Sequence, residues 1–540
     1  MNRFVRGLIM AATVLAATLA AVSCATLGTG TRVSDPQGRF SFEAGTELSP
    51  RLQQSGFYQY RLENPGIDVY VTAAPAAAEE KGVEDVLDRI GVDRARLVFD
   101  GGTSFGDWRA MRWRLAGGDL VVALAYQARG GTVYSLAVVG TQEAMPGDPP
   151  GPVMRVLASM RFTAAAGRLD RPSTREELER AVLQAAEARS ASISVAVVRE
   201  GHIVYRFAAG TGRRDSTGAQ AATPATAYHW GSMTKLVTAT AIMRLVEQGR
   251  VSLDAPVDRY LPGFPAAPGI TVRNLLTHSS GLAEREADHL VSFNGSTLPS
   301  LGQVLTSYLE ESPTLAFKPG SDAAYNNWNF LVLGVLVERV SGKPYEEFVR
   351  DEVLRPLGMT HSAFRFSELP ADTPLATPVI AATREPELIS ILNTGRPGKD
   401  ADTAIFGREQ GLSFLVDFDI LAPWGGLEGT AEDVARFLAM SMGTPLPGAP
   451  RVLAPGTLAS MRKVQRSTSG RVLPWGLGWM LGREQGEEVI EHGGGGAGIE
   501  CLMRIYPRRQ LGVVVMGNVE NYGAARITAA AADIFSAGSN

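Results

Sequence analysis

The sequence predicts an α/β (α+β) chain: an antiparallel β-sheet flanked by terminal helices plus an all-helical subdomain, preceded by a small α+β domain. Three observations carry this. A helix and two strand-like runs open the second part of the chain, and two strand-like runs and a helix close it. The stretch between them is dominated by apolar helical segments. The first third is mostly short runs rich in β-branched and aromatic residues, separated by Gly, Pro or Asp turns. At 540 residues the chain exceeds one ordinary core, so two or more domains are expected.

The elements follow in order. Arg3 and Arg6 precede an apolar run from Leu8 to Val22, too short to span a bilayer comfortably. Residues 1–23 therefore read as an export signal and are excluded from the fold. The run ends "AAVSC", which resembles the bacterial lipobox, in which the cysteine, here Cys24, is acylated and becomes the mature first residue. Ala21 stands where that pattern usually has Leu, and ordinary signal cleavage is the alternative. The expectation is an exported protein of the bacterial cell envelope or periplasm, held to the membrane only through a lipid anchor. Cys24 and Cys501 are the two cysteines, so with Cys24 lipidated no intramolecular disulfide forms.

Residues 25–165 form the small α+β domain. Its strands are "FYQYRL", "IDVYVTA", "DWRAMRWRL", "DLVVALAYQA" and "TVYSLAVVG", with helical spacing over Lys81 to Ile90 and Gly151 to Met160. It holds no convergent set of Ser, His and carboxylate residues and reads as a binding or spacer module. "TAAAGRLDRP" (Thr163 to Pro172) leads into the second domain, 170–540. That domain opens with a helix over Ser173 to Ala188, N-capped by Ser173 with Glu176 completing a capping box. "SISVAVVRE" and "HIVYRFAAG" follow, joined at Glu200-Gly201; "CLMRIYP", "QLGVVVMG" and the helix "AARITAAAADIFS" close the chain.

Composition excludes several functions. The net charge of −4 comes with no long basic run, so no nucleic-acid partner is expected. The six histidines lie far apart, with no Cys/His cluster or His-Glu-x-x-His run, so neither a metal nor another cofactor is expected.

The chemistry concentrates in three segments. In "YHWGSMTKLVTATAIMRL", Ser232 and Lys235 are three apart at the start of an apolar helix, hence one turn from each other. Burial and the positive helix N-terminus both lower a lysine's pKa, and a near-neutral amine beside a hydroxyl is a general base. Ser-x-x-Lys alone is a weak signal: Ser460 to Lys463 matches it too, in the basic segment "SMRKVQR" that reads as a solvated face. The second segment, "AYNNWNFLVLGVLVERVSG", puts Tyr325 and Asn327 just before another apolar helix. A phenol near an ammonium ionises more easily, and the Asn327 amide can hold Lys235 and a substrate carbonyl together. In the third, "IEHGGGGAGIECLMRIYP", His492-Gly493-Gly494 ends one strand before a glycine run where backbone N–H groups can meet an oxyanion. His229-Trp230-Gly231 also fits His-x-Gly.

Taken in order, Ser-x-x-Lys, Tyr-x-Asn and His-x-Gly resemble the serine beta-lactamase and penicillin-binding-protein superfamily, class C-like branch. "ITVRNLLTHSSGL" (Ile270 to Leu282), "FKPGSDAAYNN", "LRPLGMTHSAF" and "PWGGLEGTAEDVARF" agree with it. The likeness runs from about Ser173 to the C-terminus and implies a beta-lactamase/transpeptidase-like fold. It implies Ser232 as acylated nucleophile, with Lys235 and Tyr325 sharing the acid/base work and either one starting as base. Asn327 would orient Lys235 and substrate, and the oxyanion hole would combine the N–H of Ser232 with that of Gly495, beside Gly494. His492 stands where beta-lactamases and carboxypeptidases keep a carboxylate-gripping Lys, which favours an esterase or D-amino-acid peptidase. The expected reaction is hydrolysis of an ester or amide, on a small molecule or short peptide, through an acyl-enzyme. A beta-lactamase, a D-Ala-D-Ala carboxypeptidase or a non-catalytic envelope binding protein on the same scaffold are the alternatives. His278 reads as fixing a loop, and Trp424, Trp475 and Trp479 as core packing. The irregular stretch Pro370 to Ile420 is the expected insertion over the cleft.

Overall fold

The computed structural model describes strands between residues 31 and 162 and then residues 172–536, apart from 216–217, 265–268, 284–298, 312–314, most of 381–421, 471, 485–486 and 521. The signal segment, Cys24, the linker, the helices expected over 81–90 (Leu87 apart) and 151–160, and most of the 370–420 insertion lie outside the described residues. The chain divides into two compact units, with the boundary along the sequence at Asp170/Arg171.

The first unit contains a seven-stranded sheet in the order 48–54, 57–62, 67–75, 132–141, 120–129, 108–115, 97–105, and a three-stranded sheet of 31–34, 40–44 and 161–162. Val69, Val71, Val122, Leu124, Leu136 and Val138 on its central strands are buried. Strands 48–54 and 97–105, which contain Pro50 and the pair Gly101-Gly102, are the two edges of that sheet, where a residue without an N–H or a side chain is tolerated.

The second unit is built on one antiparallel sheet. In chain order its strands are β1 (Ser192–Arg199), β2 (His202–Asp215), β3 (Gly218–Ala221), β4 (Met480–Glu484), β5 (Glu487–Gly496), β6 (Ile499–Tyr506) and β7 (Leu511–Gly517). Their spatial order is β3-β2-β1-β7-β6-β5-β4, so the two ends of the unit meet where β1 pairs with β7, Val195 opposite Val515. The helices needed below are α1 (Arg175–Glu187), α2 (Thr234–Glu247), α3 (Trp328–Ser341), α4 (Ala431–Met442) and α5 (Ala524–Ser536).

Local chemistry sets the helix ends. Thr174, not Ser173, caps α1, accepting the Glu177 N–H at 3.2 Å; Ser173 sits one residue earlier and donates from both backbone and hydroxyl to the Glu177 carboxylate. The expected box is thus shifted by one residue, because Thr174 and Glu177 repeat the spacing of Ser173 and Glu176. Thr430 caps α4, and Gly342 and Gly443 end α3 and α4 in the left-handed conformation.

Strand alternation sorts side chains to the two faces of the sheet. Cys501, Met503 and Ile505 join the core under the helical region, with Leu236, Val237 and Phe330. Leu502 and Tyr506 join the core under α1 and α5, with Leu178, Val182 and Ile527. Arg504 shares that second face. Fully buried, its guanidinium bonds Glu491, Glu484 (3.0 Å) and the Tyr506 hydroxyl (3.2 Å). Glu491 therefore turns away from the face that its neighbour His492 serves.

This buried cluster makes a stability prediction. Arg504→Leu strands two carboxylates without their cation and should cost about 3–5 kcal/mol. Urea denaturation at neutral pH checks it, and adding Glu491→Gln to the same chain should recover part of the loss.

Candidate active site

The site begins with a backbone device. A 3-10 turn, Gly231–Met233, runs directly into α2, and Gly231 enters it at φ +51°, a conformation costly for residues with a Cβ. Ser232 is thereby set one turn ahead of Lys235 at the head of a helix whose residues from Thr234 to Met243 are all buried. The Lys235 ammonium cannot reach solvent and turns inward. Its Nζ lies 2.9 Å from Ser232 Oγ and donates to the Trp424 carbonyl at 3.0 Å. It also stands over the rings of Tyr325 and Phe330, 4.9 and 5.8 Å from their centroids, where the ring quadrupole favours a cation.

Tyr325, just before α3, donates to Ser232 Oγ at 2.7 Å. The serine oxygen is thus shared between an amine and a phenol that lie 90 or more residues apart along the chain. Asn327 is the half-buried N-cap residue of α3, two positions beyond Tyr325.

The third segment arrives on β5. The strand does not stop at Gly494 as its sequence suggests; it continues through Gly496, with Gly493, Gly494 and Gly495 opposite Leu502, Cys501 and Glu500 on β6. The glycine run is a strand because the ladder to β6 satisfies its backbone, and at Gly494 the neighbouring turn leaves no room for a side chain. A Cβ on Gly494 would lie 2.0 Å from the Trp230 carbonyl oxygen, and one on Gly231 would lie 3.1 Å from the Gly495 nitrogen. The backbone of Gly494 and Gly495 is pressed against the turn that carries Ser232.

His492 is buried with Nδ1 2.7 Å from the Gly493 carbonyl. Burial, then the positive charge of Lys235, push its pKa down to about 3, so the imidazole is neutral near pH 7. It cannot replace the charge of a lysine.

Some residues read as packing do more. Trp475 is buried among the rings of the site, with centroids 4.6 Å from His278, 5.6 Å from Tyr325 and 5.9 Å from His492. Trp479 and Trp424 are core residues as expected, yet the Trp424 carbonyl holds Lys235. The segment carrying it is stitched along α2: Thr238 donates to the Pro423 carbonyl at 2.6 Å, the Leu427 N–H donates to Thr234, and the Trp230 N–H to the Leu427 carbonyl. A main-chain carbonyl leaves no mark in a residue pattern, which is why sequence reasoning passes over it.

The two competing motifs go elsewhere. Ser460 spends its hydroxyl on the Thr457 carbonyl at the end of a short helix, and Lys463 is exposed. His229 lies buried in the strand before the nucleophile turn, 3.1 Å from Glu428, its pKa pushed down to about 3 by burial.

Comparison with known proteins now decides the family. The family model described as Beta-lactamase matches residues 176–536. The chain belongs to the beta-lactamase family. Putative penicillin-binding protein PbpX of Bacillus subtilis is 33% identical over 31% of this chain and 40% of its own length. Esterase EstB of Burkholderia gladioli is 34% identical over 39% of this chain and 57% of its own. The octameric penicillin-binding protein homologue from Pyrococcus abyssi superposes with a TM-score of 0.52 at 26% identity, covering 66% of this chain and 76% of that one. The chain thus spans about half the length of these curated relatives. The beta-lactamase/transpeptidase-like fold inferred from the motifs is the fold observed.

Two outcomes follow for a p-nitrophenyl ester assay. Gly494→Ala, whose Cβ would push the strand off the Ser232 turn and displace the adjoining Gly495 N–H, should lower kcat by roughly 100-fold, whereas Ser460→Ala should leave the rate unchanged. Acid should also weaken the fold. His229 and His492 have folded pKa values near 3, below the unfolded value of 6.5, so their contribution is complete above about pH 6.5 and lost as pH falls toward 3. Each adds a slope approaching ~1.4 kcal/mol per pH unit within that window, and His492→Gln should flatten the measured Tm-against-pH curve there.

Proposed function

We propose that the second unit, 170–540, is a serine hydrolase that cleaves an ester or amide through a covalent acyl-enzyme on Ser232. The observation that carries this is the shared serine oxygen, 2.9 Å from Lys235 Nζ and 2.7 Å from the Tyr325 hydroxyl. As Ser232 Oγ attacks the substrate carbonyl carbon, its proton passes to the Lys235–Tyr325 pair, which in the reactive state holds one proton fewer than an ammonium and a phenol together, so that the free amine or the phenolate accepts it. The oxyanion of the tetrahedral intermediate is received by the N–H groups of Ser232 and Gly495. Collapse of that intermediate breaks the bond to the alcohol or amine, which leaves with the proton the pair had taken up. Water then attacks the acyl carbon, gives the pair its proton, and Ser232 is reprotonated as the acid departs. Asn327 steadies Lys235 and the substrate carbonyl.

Substrate choice follows from charge. A neutral, buried His492 offers no cation for a substrate carboxylate, which favours esters and D-aminoacyl amides over penicillins and D-Ala-D-Ala peptides. Its likeness to an esterase agrees. The site of action is the cell envelope, with the chain exported by residues 1–23 and held to the membrane by acylated Cys24; residues 25–165 form a separate domain.

A fluorophosphonate probe should leave one adduct, on Ser232, and Ser232→Ala should abolish it; labelling of that variant, or none of the wild type, overturns the assignment. In a panel of short-chain esters, D-aminoacyl amides, D-alanyl-D-alanine peptides and a chromogenic cephalosporin, turnover should be greatest among the esters and amides.

A further inference from the structure

We infer that His278 is a positioning residue that seats Tyr325 against Ser232, an inference that rests on the relay proposed above. His278 follows the short helix Val272–Leu276 and takes φ +53°, a left-handed conformation that His, Asn and Asp tolerate better than most residues. From there it grips the chain on both sides of Tyr325. Its carbonyl accepts the Ala324 N–H at 2.9 Å, and its ring Nδ1 accepts the Asn326 N–H at 3.0 Å. The same ring packs on Tyr325, with centroids 4.6 Å apart and planes 31° apart, and on its other neighbour Trp475 at 4.6 Å. One residue thus fixes the peptide before the tyrosine, the peptide after it and the ring itself.

The surrounding segment reinforces the grip. Asn326 donates its side-chain amide to the Leu282 carbonyl at 2.7 Å, and Ser280 donates to Asn329 Oδ1 at 2.5 Å. Residues 278–282 therefore cradle 324–329 by side-chain as well as backbone bonds. Because Nδ1 accepts, the ring proton sits on Nε2, and a charged imidazole would set two donors against each other at Asn326. Burial, with the charge of Lys235 behind it, holds the His278 pKa well below its ordinary value and keeps that acceptor available. A lone histidine after an apolar helix gives no hint of this in sequence, where it reads as fixing a loop; the loop it fixes carries the phenol.

The test is a double-mutant cycle on the full-length chain, with kcat and KM for p-nitrophenyl butyrate expressed per fluorophosphonate-titrated site. His278→Ala should lower kcat roughly 10- to 100-fold, the cost of misplacing a catalytic group by about an ångström, with KM changed less than about 2-fold. His278→Asn, whose Oδ1 takes the place of Nδ1, should restore a large part of that loss. In a Tyr325→Phe background the same two substitutions should change kcat by less than about 2-fold, because no phenol remains to be placed. An equal loss in both backgrounds would overturn the inference and leave His278 a purely structural residue. Undiminished kcat in Tyr325→Phe alone would overturn the relay, and this inference with it. Should the Ala variant be insoluble, His278→Gly, at ease at this positive φ and lacking the acceptor, takes its place in the same comparison, losing activity beside Tyr325 and none beside Phe.

Discussion

A lysine side chain buried without access to water is the constraint around which the second unit is arranged. Lys235 sits in the first turn of a helix buried from Thr234 to Met243, and its charge must be met from within. Among its partners are the serine one turn back, the carbonyl of Trp424 and the faces of two aromatic rings. Each comes from a different part of the chain, so satisfying the lysine also assembles the site. The arrangement is costly to dismantle, because removing any one partner leaves a polar group in a low-dielectric interior.

The sheet supplies the opposing wall. Pairing of β1 with β7 joins the two ends of the unit, and β5 then brings four consecutive glycines past the nucleophile turn. Alternation along β5 and β6 keeps the ionic cluster of Arg504 on the far face and His492 on the near one. Close approach of backbone to backbone, possible only without side chains at Gly231 and Gly494, is what the glycines contribute. The same strand places a buried, neutral histidine beside the turn.

Much of this was legible in the residues. The strands β1, β2, β6 and β7 and the last helix follow their apolar runs and turn residues closely, since local periodicity and burial agree there. The N-cap of α1 fell one residue from its expected place because two Ser/Thr-x-x-Glu spacings overlap, and only the hydrogen bonds distinguish them. The strand character of Gly493 to Gly496 was hidden because glycine carries no strand signal of its own; the ladder to β6 supplies it. Trp475 looked like core by composition and is buried, yet what it is buried against is the ring of Tyr325, which bonds Ser232.

By itself the sequence determined which residue types are available and how they are spaced: a Ser and a Lys one turn apart, a Tyr at the head of a helix, and a histidine leading a run of glycines. Those are local facts, set by helical and strand geometry. The tertiary structure alone decided which serine meets which amine, that Ser232 and not Ser460 faces a phenol, that Trp424 contributes a carbonyl, and that His278 holds both peptides around Tyr325. Contacts between segments far apart in the chain depend on packing the whole core at once, and no window of residues encodes them.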